Sequence, residues 1–409
     1  MLIELIIENY KSFKDKVVFS MAASNDTEHL SSVSKTKRID ILKTAAVYGP
    51  NAGGKSNLLK ATSFMKDMFL RFSRTSFVND EIPVDSFKLD RKSQDESSMF
   101  EVTFLKNDIQ YRYGFSLTKE RVEAEWFFAA FSAKESLVFT RENEKYDIGS
   151  NSKFSGLKKL AKSHTKSNAL FATFVNQNVE IDAFKDLLDW FTKLQDITVL
   201  SNHNIPVPTG QMISKDEKFK QLVMKAMKMS DFSILDLEYE EKQINKNDDN
   251  SGFRVNISSK HNVFENEEIV DAVNFQFEKM ESQGTQKFFS IIGPFLKTLH
   301  EGGVLIIDEF DSKLHPNLMM KLFDLFNDSE INCCNAQLIF STHNTLFLDK
   351  DILRRDQIWF VQRDSFGVSN ISSLYDFKVR KDASFDKDYL LGKMGYVPKI
   401  GSLKSLLGA

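Results

Sequence analysis

"TAAVYGPNAGGKSNLLKATSFMKDMFLRF", Thr44–Phe72, is the stretch on which the fold turns. Its first residues read as a short buried strand that ends in glycine, and Gly49–Ser56 matches G-x-x-x-x-G-K-[ST] in full. Leu58, Leu59, Phe64, Met65, Met68 and Phe69 then recur at roughly helical spacing. Strand, glycine loop and helix form the context that gives the motif its physics. The glycines let backbone N–H groups converge on a phosphate at the positive end of the following helix. Lys55 is placed to reach the β- and γ-phosphates, and the Ser56 hydroxyl to ligate Mg²⁺. Gly49, Asn51, Gly53, Gly54, Lys55, Ser56 and Asn57 are therefore candidate nucleotide-binding residues.

Further along, "VLIIDEF" (Val304–Phe310) is an apolar run tipped by acids. It puts Asp308 at the carboxyl end of a strand, where ligands bind in parallel sheets. Asp308 would hold Mg²⁺ directly or through water, and Glu309 would polarise the attacking water. "FSTHN" places His343 at the end of another buried strand, where it can contact a γ-phosphate. Taken singly, exposed acids or a satisfied strand-end histidine would explain these residues as well. Beside a phosphate loop the functional reading is stronger.

A second anion-reading turn lies at "ESQGTQK", Glu281–Lys287, just before a helix. Alone, its Ser-X-Gly pattern is equally a helix-capping turn. Two such turns more than two hundred residues apart raise the question of why one chain needs both.

The rest of the chain sorts by hydrophobic period. "MLIELIIE" and "KVVFSMA" read as a strand pair, and "MFEVTFL", "IQYRYGFSL" and "VEAEWFF" as three antiparallel strands joined by short turns, one at "KND". From about residue 154 to 229 helical periodicity dominates, interrupted by the Pro/Gly-rich "NHNIPVPTG". "DFSILDLEYEEKQ" and "GFRVNISS" read as strands around a polar loop. The carboxyl-terminal third returns to strand–helix alternation with "GGVLIIDEF", "AQLIFSTH" and "RRDQIWFVQRD", which argues for a largely parallel sheet.

Composition narrows the class. The 409 residues carry 54 Lys+Arg against 57 Asp+Glu, a net charge of −3, so no global basic field points to nucleic acid. "KKLAKSHTK" (Lys158–Lys166) is a local basic run best read as a solvated face. The two cysteines, Cys333 and Cys334, are adjacent and fit neither a disulfide framework nor metal-ligand spacing. The amino terminus lacks the layout of a signal peptide, and no window approaches about 18 uncharged apolar residues. A cytoplasmic protein without a membrane partner is expected.

The order phosphate loop, "SQG", apolar-"DE", "STH" resembles the ATP-binding-cassette (ABC) type of ATPase, in its SMC-, RecF- and OLD-like branch. More narrowly, the chain is similar to the prokaryotic AAA-fifteen ATPases of anti-phage defence, such as the ATPase subunit of PARIS or Septu-like systems. "IIENYKSFKD", "FEVTF", "YRYGFSL", "DEFDSKLHP", "STHNTLFL", "RRDQIWFV" and "YLLGKMGYVP" carry the likeness nearly end to end. Glu281 stands where transporters prefer leucine.

The resemblance implies an α/β P-loop NTPase of ABC type. It has a mostly parallel sheet with helices on both faces, an antiparallel β-subdomain and a helical insertion. The expected division is 1–150 for the amino-terminal half of the head and 151–230 for a helical lid or oligomerisation element. Residues 231–409 form the carboxyl-terminal half. ATP and Mg²⁺ are the implied cofactors. Two protomers would close head-to-tail around two ATP molecules, with Ser282 and Gly284 capping the γ-phosphate held by the other protomer. That lends one of the two anion sites to the partner and answers the question above.

Asp311 and His315 fall in the loop that crosses the dimer seam in this branch. For the glutamine that follows the small antiparallel sheet, Gln177 in "FVNQN" is the candidate and Gln94 the alternative. An ordinary surface glutamine explains either. Lys11 and Ser12 are read as approaching the nucleotide or as a plain loop. Functionally, the resemblance implies an ATPase switch that controls a separate effector such as a Toprim or HNH nuclease. DNA or a phage protein would be its trigger. A DNA-clamping repair ATPase is the alternative. No Toprim-like continuation follows "RRDQIWFV", and "NHN" at Asn202–Asn204 is too isolated to be an HNH site.

Overall fold

The computed structural model describes residues 1–154, 156–161, 165–197, 208–230, 232–243, 253–377 and 384–397. Its centre is a six-stranded sheet in the order Leu194–Ile197, Val304–Ile307, Gln337–Ser341, Thr44–Tyr48, Ile358–Arg363, Ser369–Ser373. The first five strands are parallel, and only the Ser369–Ser373 edge strand runs antiparallel to its neighbour. Side chains alternate between two separate cores. Ala45, Val47, Val304, Ile306, Ile339, Trp359 and Val361 enter one, and Ala46, Tyr48, Leu305, Ile307, Leu338, Phe340 and Phe360 the other. A strand buried on both faces has no polar side to show, which is why these segments read as unbroken apolar runs.

The helix Lys55–Asp67 packs into the first core through Leu58, Leu59, Ala61 and Met65. A seven-stranded antiparallel sheet closes that side in the order Lys145–Ile148, Ser136–Glu142, Val122–Ala130, Ile109–Leu117, Ser98–Lys106, Leu2–Glu8, Val17–Ser20. The three strands read from the sequence are its middle. Asn107 and Asp108, both at positive φ (52° and 61°), make the tight turn expected at "KND". Ser136–Glu142 and Lys145–Ile148 extend the sheet beyond the expectation, and Leu2–Glu8 joins it across some ninety residues of chain.

The other face is covered by helices Gln283–Glu301, Pro316–Asn327 and Glu217–Met229. In Gln283–Glu301, Pro294 removes the amide that would bond the Ser290 carbonyl. The Thr209 hydroxyl lies 3.4 Å from that Ser290 carbonyl, donates to Phe289 O and accepts from Gly293 N at 3.1 Å, which bridges the interrupted turn.

The described residues between 151 and 230 are mostly helical but not free-standing. Helices Phe171–Asn178 and Asp182–Thr192 bury Phe171, Phe184, Leu187 and Phe191 in the first core. The next residues, Leu194–Ile197, form the edge strand of the central sheet, and Ile213, Val223 and Met227 then enter the second core. The region is stitched into both sides of the head.

Strands Asp236–Gln243, Phe253–Glu265 and Glu268–Gln276 make a separate three-stranded antiparallel sheet whose last strand is largely exposed. Among the described residues no helix is long and apolar enough to cross a membrane.

Candidate nucleotide-binding site

The phosphate loop leaves the Thr44–Tyr48 strand at its carboxyl end and turns back into helix Lys55–Asp67. Packing forces glycine at two points. Gly49 has φ 147°, and a Cβ there would lie 2.0 Å from the Val361 carbonyl oxygen of the neighbouring strand. Gly54 has φ 119°, and its Cβ would meet Ser369 Oγ at 2.5 Å. The loop is also buttressed from outside. Ser369 Oγ donates to Gly53 O (2.8 Å), Ser369 N donates to Ser12 O (2.7 Å), and Asn57 Nδ2 donates to Ser12 Oγ (2.8 Å). Ser12 and Asn57 thus meet each other, while Asn51 and Ala52 are exposed at the loop tip and Ser56 lies on the first turn of the helix.

Lys55 is 7 % exposed. Its ammonium donates to the carbonyls of Gly49 (2.8 Å) and Pro50 (3.1 Å) and lies 3.0 Å from His343 Nε2. No ion pair to Lys55 occurs among the described residues. Burial holds its pKa below the usual lysine value, opposed by the charges of Asp308, Asp311 and Glu309. A buried ammonium resting on two carbonyls, beside a loop that opens a helix, is a site arranged for an anion.

The acidic strand Val304–Ile307 and the histidine strand Gln337–Ser341 are adjacent and deliver their tips side by side. Ser341 Oγ donates to Asp308 Oδ1 and accepts from Glu309 N at 2.8 Å. Asp311 Oδ2 accepts from His343 N at 3.1 Å. Glu309 sits at φ 50°, a left-handed conformation that a β-carbon disfavours and that ordinarily survives where the surroundings enforce it. Its side chain is exposed. The pKa of His343 is lowered by desolvation and by Lys55, against the pull of Asp311, Glu309 and Asp308. The residue as a whole is exposed, but its Nε2 faces the buried ammonium.

At the second turn, Ser282 caps helix Gln283–Glu301. Its Oγ accepts from Thr285 N at 3.1 Å, with Ser282 and Gln283 exposed. Lys287, one turn on, donates to the Asp308 carbonyl at 3.4 Å; burial lowers its pKa, while Glu309, Asp308 and Asp311 raise it. This helix packs in the second core, whereas the phosphate-loop helix packs in the first. The helices that open from the two amide-bearing turns therefore lie on opposite faces of one sheet.

Gln177 does not join the site. Its helix is bonded to the Met68–Thr75 segment, through Thr173 Oγ1 to Phe69 O (2.9 Å) and Leu170 N to Ser73 Oγ (3.1 Å). Fourteen helical residues separate Phe69 from Lys55, about 20 Å at 1.5 Å each. The local "FVNQN" pattern could not reveal that its helix docks at the far end of the loop helix. Gln94 donates to Lys88 O at 2.8 Å in a segment tied to the Asn9–Lys14 loop by Lys11–Asp85 (2.9 Å) and Asn9 Nδ2 to Ser93 O (2.8 Å). Lys11 is therefore engaged by Asp85. His315 caps helix Pro316–Asn327, its Nδ1 accepting from Asn317 N at 3.2 Å. Asn202–Asn204 lie outside the described residues. Ser341, Ser369 and Lys287 received no role from the sequence, although Ser341 and Lys287 lay inside quoted motifs.

Ser56, Asp308 and Lys55 have the donor chemistry that a Mg²⁺–nucleotide requires: a hydroxyl and a carboxylate for the cation, an ammonium for the phosphates. A phosphate loop, an acid-tipped strand and a histidine-tipped strand share the carboxyl edge of one parallel sheet, with an antiparallel sheet over the loop helix. This is the layout of an α/β P-loop NTPase fold. Residues 45–349 match the family described as "AAA domain, putative AbiEii toxin, Type IV TA system", and the chain belongs to that family.

No curated protein matches the chain. Among solved structures, the SMC head domain from Thermotoga maritima is 14% identical, with 91% of this chain and 98% of that chain covered and a TM-score of 0.38. An SMC head bound to the C-winged helix domain of ScpA gives 14% identity, 91% and 97% coverage and a TM-score of 0.37.

Proposed function

We propose that the protein binds and hydrolyses ATP, closing head-to-tail dimers or higher oligomers around the nucleotide. As such it is a switch for a separate effector in prokaryotic antiviral defence. The observation that carries the first part is the placement, on opposite faces of the central sheet, of the helices that open from its two anion-reading turns. With the two helices on opposite faces, the Ser282–Gly284 turn is read as serving the phosphate held by a second copy, as the resemblance implies. Ser56 and Asp308 would hold Mg²⁺, which would supply charge neutralisation for the phosphates. Lys55 exchanges its two carbonyl acceptors for phosphate oxygens. Glu309 accepts a proton as the water oxygen bonds to the γ-phosphorus and the bridging bond to ADP breaks. His343 donates to the γ-phosphate.

The effector role rests on the chain-wide resemblance to defence ATPases. The family's description, which names a putative toxin of a type IV toxin–antitoxin system, fits work in such a system. A Toprim or HNH nuclease fits as that partner, with DNA or a phage protein as trigger, in the cytoplasm. The test is the native mass of tagged Glu309→Gln protein, purified with ATP from cells carrying its gene neighbourhood. ATP turnover is expected to fall by at least about 100-fold, given the share that general-base groups contribute. The mass should be a multiple of 47.0 kDa plus a co-purifying nuclease. Wild-type turnover would remove Glu309 from its role. A bare dimer holding DNA would replace the switch with a repair-type clamp.

A further inference from the structure

Glu281 immediately precedes the Ser282 cap, and its side chain is only 10 % exposed. It does not face solvent as a variable flank would. His261 Nε2 lies 2.6 Å from Glu281 Oε1, and the fully buried Ser259 donates its hydroxyl to the same oxygen. A carboxylate only accepts, so His261 carries its proton on Nε2. The imidazole is fixed in turn by Phe275, whose ring centroid is 4.7 Å away, on the strand paired with its own. On the backbone side Gln286 Nε2 donates to Glu281 O at 2.9 Å, and Glu281 N donates to Phe277 O at 3.2 Å. Glu281 is thus gripped by strand Phe253–Glu265 and by the helix that Ser282 opens.

We propose that His261 and Ser259 are positioning residues for the Ser282–Gly284 turn, acting through Glu281, and that the three-stranded sheet is thereby the control arm of that turn. This rests on the head-to-tail reading above, because the turn matters to hydrolysis only as the cap of a neighbour's nucleotide. The link is double. Strand Glu268–Gln276 runs covalently through residues 277–280 into Glu281, and the middle strand holds Glu281 by its side chain. A shift of the sheet therefore moves the capping amides. A misplacement of about 1 Å in a catalytic constellation costs on the order of 100-fold in rate. A grip lost on one side costs part of that.

The test compares His261→Ala, Ser259→Ala, His261→Gln and Asn274→Ala in the full chain. Among the described residues the Asn274 side chain bonds Glu238, on the side of the same sheet away from Glu281. His261→Ala should lower kcat about tenfold with KM for ATP changed less than about twofold, since a charged hydrogen bond is lost away from the phosphate loop. Ser259→Ala should lower kcat about threefold on the same grounds. His261→Gln, whose amide can still donate to Glu281, should recover most of the loss, and Asn274→Ala should match wild type. His261→Ala combined with Glu281→Ala should be no slower than Glu281→Ala alone.

If His261→Ala or Ser259→Ala folds and turns over at the wild-type rate, the assignment is wrong. Equal losses in kcat for Asn274→Ala would reduce the contact to general stability and also overturn it. Ser282→Ala separates the two levels. Unchanged hydrolysis there would sink the head-to-tail reading itself. A slow Ser282→Ala beside a normal His261→Ala would sink only the control arm.

Discussion

Lys55 and His343 share one hydrogen bond, and the cost of that closeness fixes their protonation. Two positive charges 3.0 Å apart in a partly desolvated site repel strongly, so the histidine is kept neutral beside the ammonium. Its folded pKa is lowered by desolvation first and Lys55 second. The unfolded value is about 6.5. A base with a depressed folded pKa takes up its proton later in the folded state than in the unfolded one. Its contribution to stability is complete above about pH 6.5 and is lost as pH falls through the folded value. The urea midpoint of the nucleotide-free protein should therefore drop between pH 7.5 and pH 5, and His343→Gln should flatten that drop. An identical slope in the variant would show that other groups set it. At this scale the sequence was most legible where spacing carries chemistry: motifs alone single out Lys55, Ser56, Asp308, Glu309 and His343, and the fold sets Lys55 3.0 Å from His343. Ser341, which orders both acids, and Ser369, which braces the loop, act on residues far along the chain that no local pattern connects.

Among the elements, the strand Ile358–Arg363 does more than widen the sheet. Val361 presents its carbonyl where a Gly49 side chain would sit, so neighbouring strand and phosphate loop are fitted to each other at backbone level. Backbone cannot swing aside as a side-chain tip can. Gly49→Ala should destabilise the nucleotide-free protein by about 3 kcal/mol, at the upper end for overpacking because the positive φ adds to the clash. Chemical denaturation without nucleotide is the check, and a loss below about 1 kcal/mol would mean the loop relaxes away from the strand. Elements with strong periodicity were readable one by one: the antiparallel strands around "KND", the loop helix and the apolar parallel strands. Leu194–Ile197 was absorbed into the helical stretch because four residues, "LQDI", carry no period of their own and become a strand only by pairing with Val304–Ile307. "EIVDAVNFQ" escaped notice for the opposite reason, since its apolar residues stay exposed and follow no core-facing rule.

At the scale of the whole molecule, one sheet separates the helices that open from the two anion-reading turns, and the proposed closure gives each turn to a different subunit's phosphate. The head-to-tail arrangement makes a quantitative demand that stability arguments do not. Lys55→Ala removes the phosphate grip of a subunit but leaves its Ser282–Gly284 turn intact. Ser282→Ala with Gly284→Asp damages the turn but leaves the grip. In a mixed dimer, the grip of the second variant faces the intact turn of the first, which rebuilds one complete site. The other site of that dimer is doubly damaged. If subunits exchange freely, an equimolar mixture contains half mixed dimers, so activity should return to about a quarter of the wild-type value per subunit, because such an isologous closure presents two sites per pair. Each variant alone should be nearly inactive. The return should depend on total protein concentration and vanish when the subunits are diluted apart. Should the mixture stay as inactive as its parts at every concentration, the second turn does not complete a neighbour's site, and its Ser282 is only a helix cap.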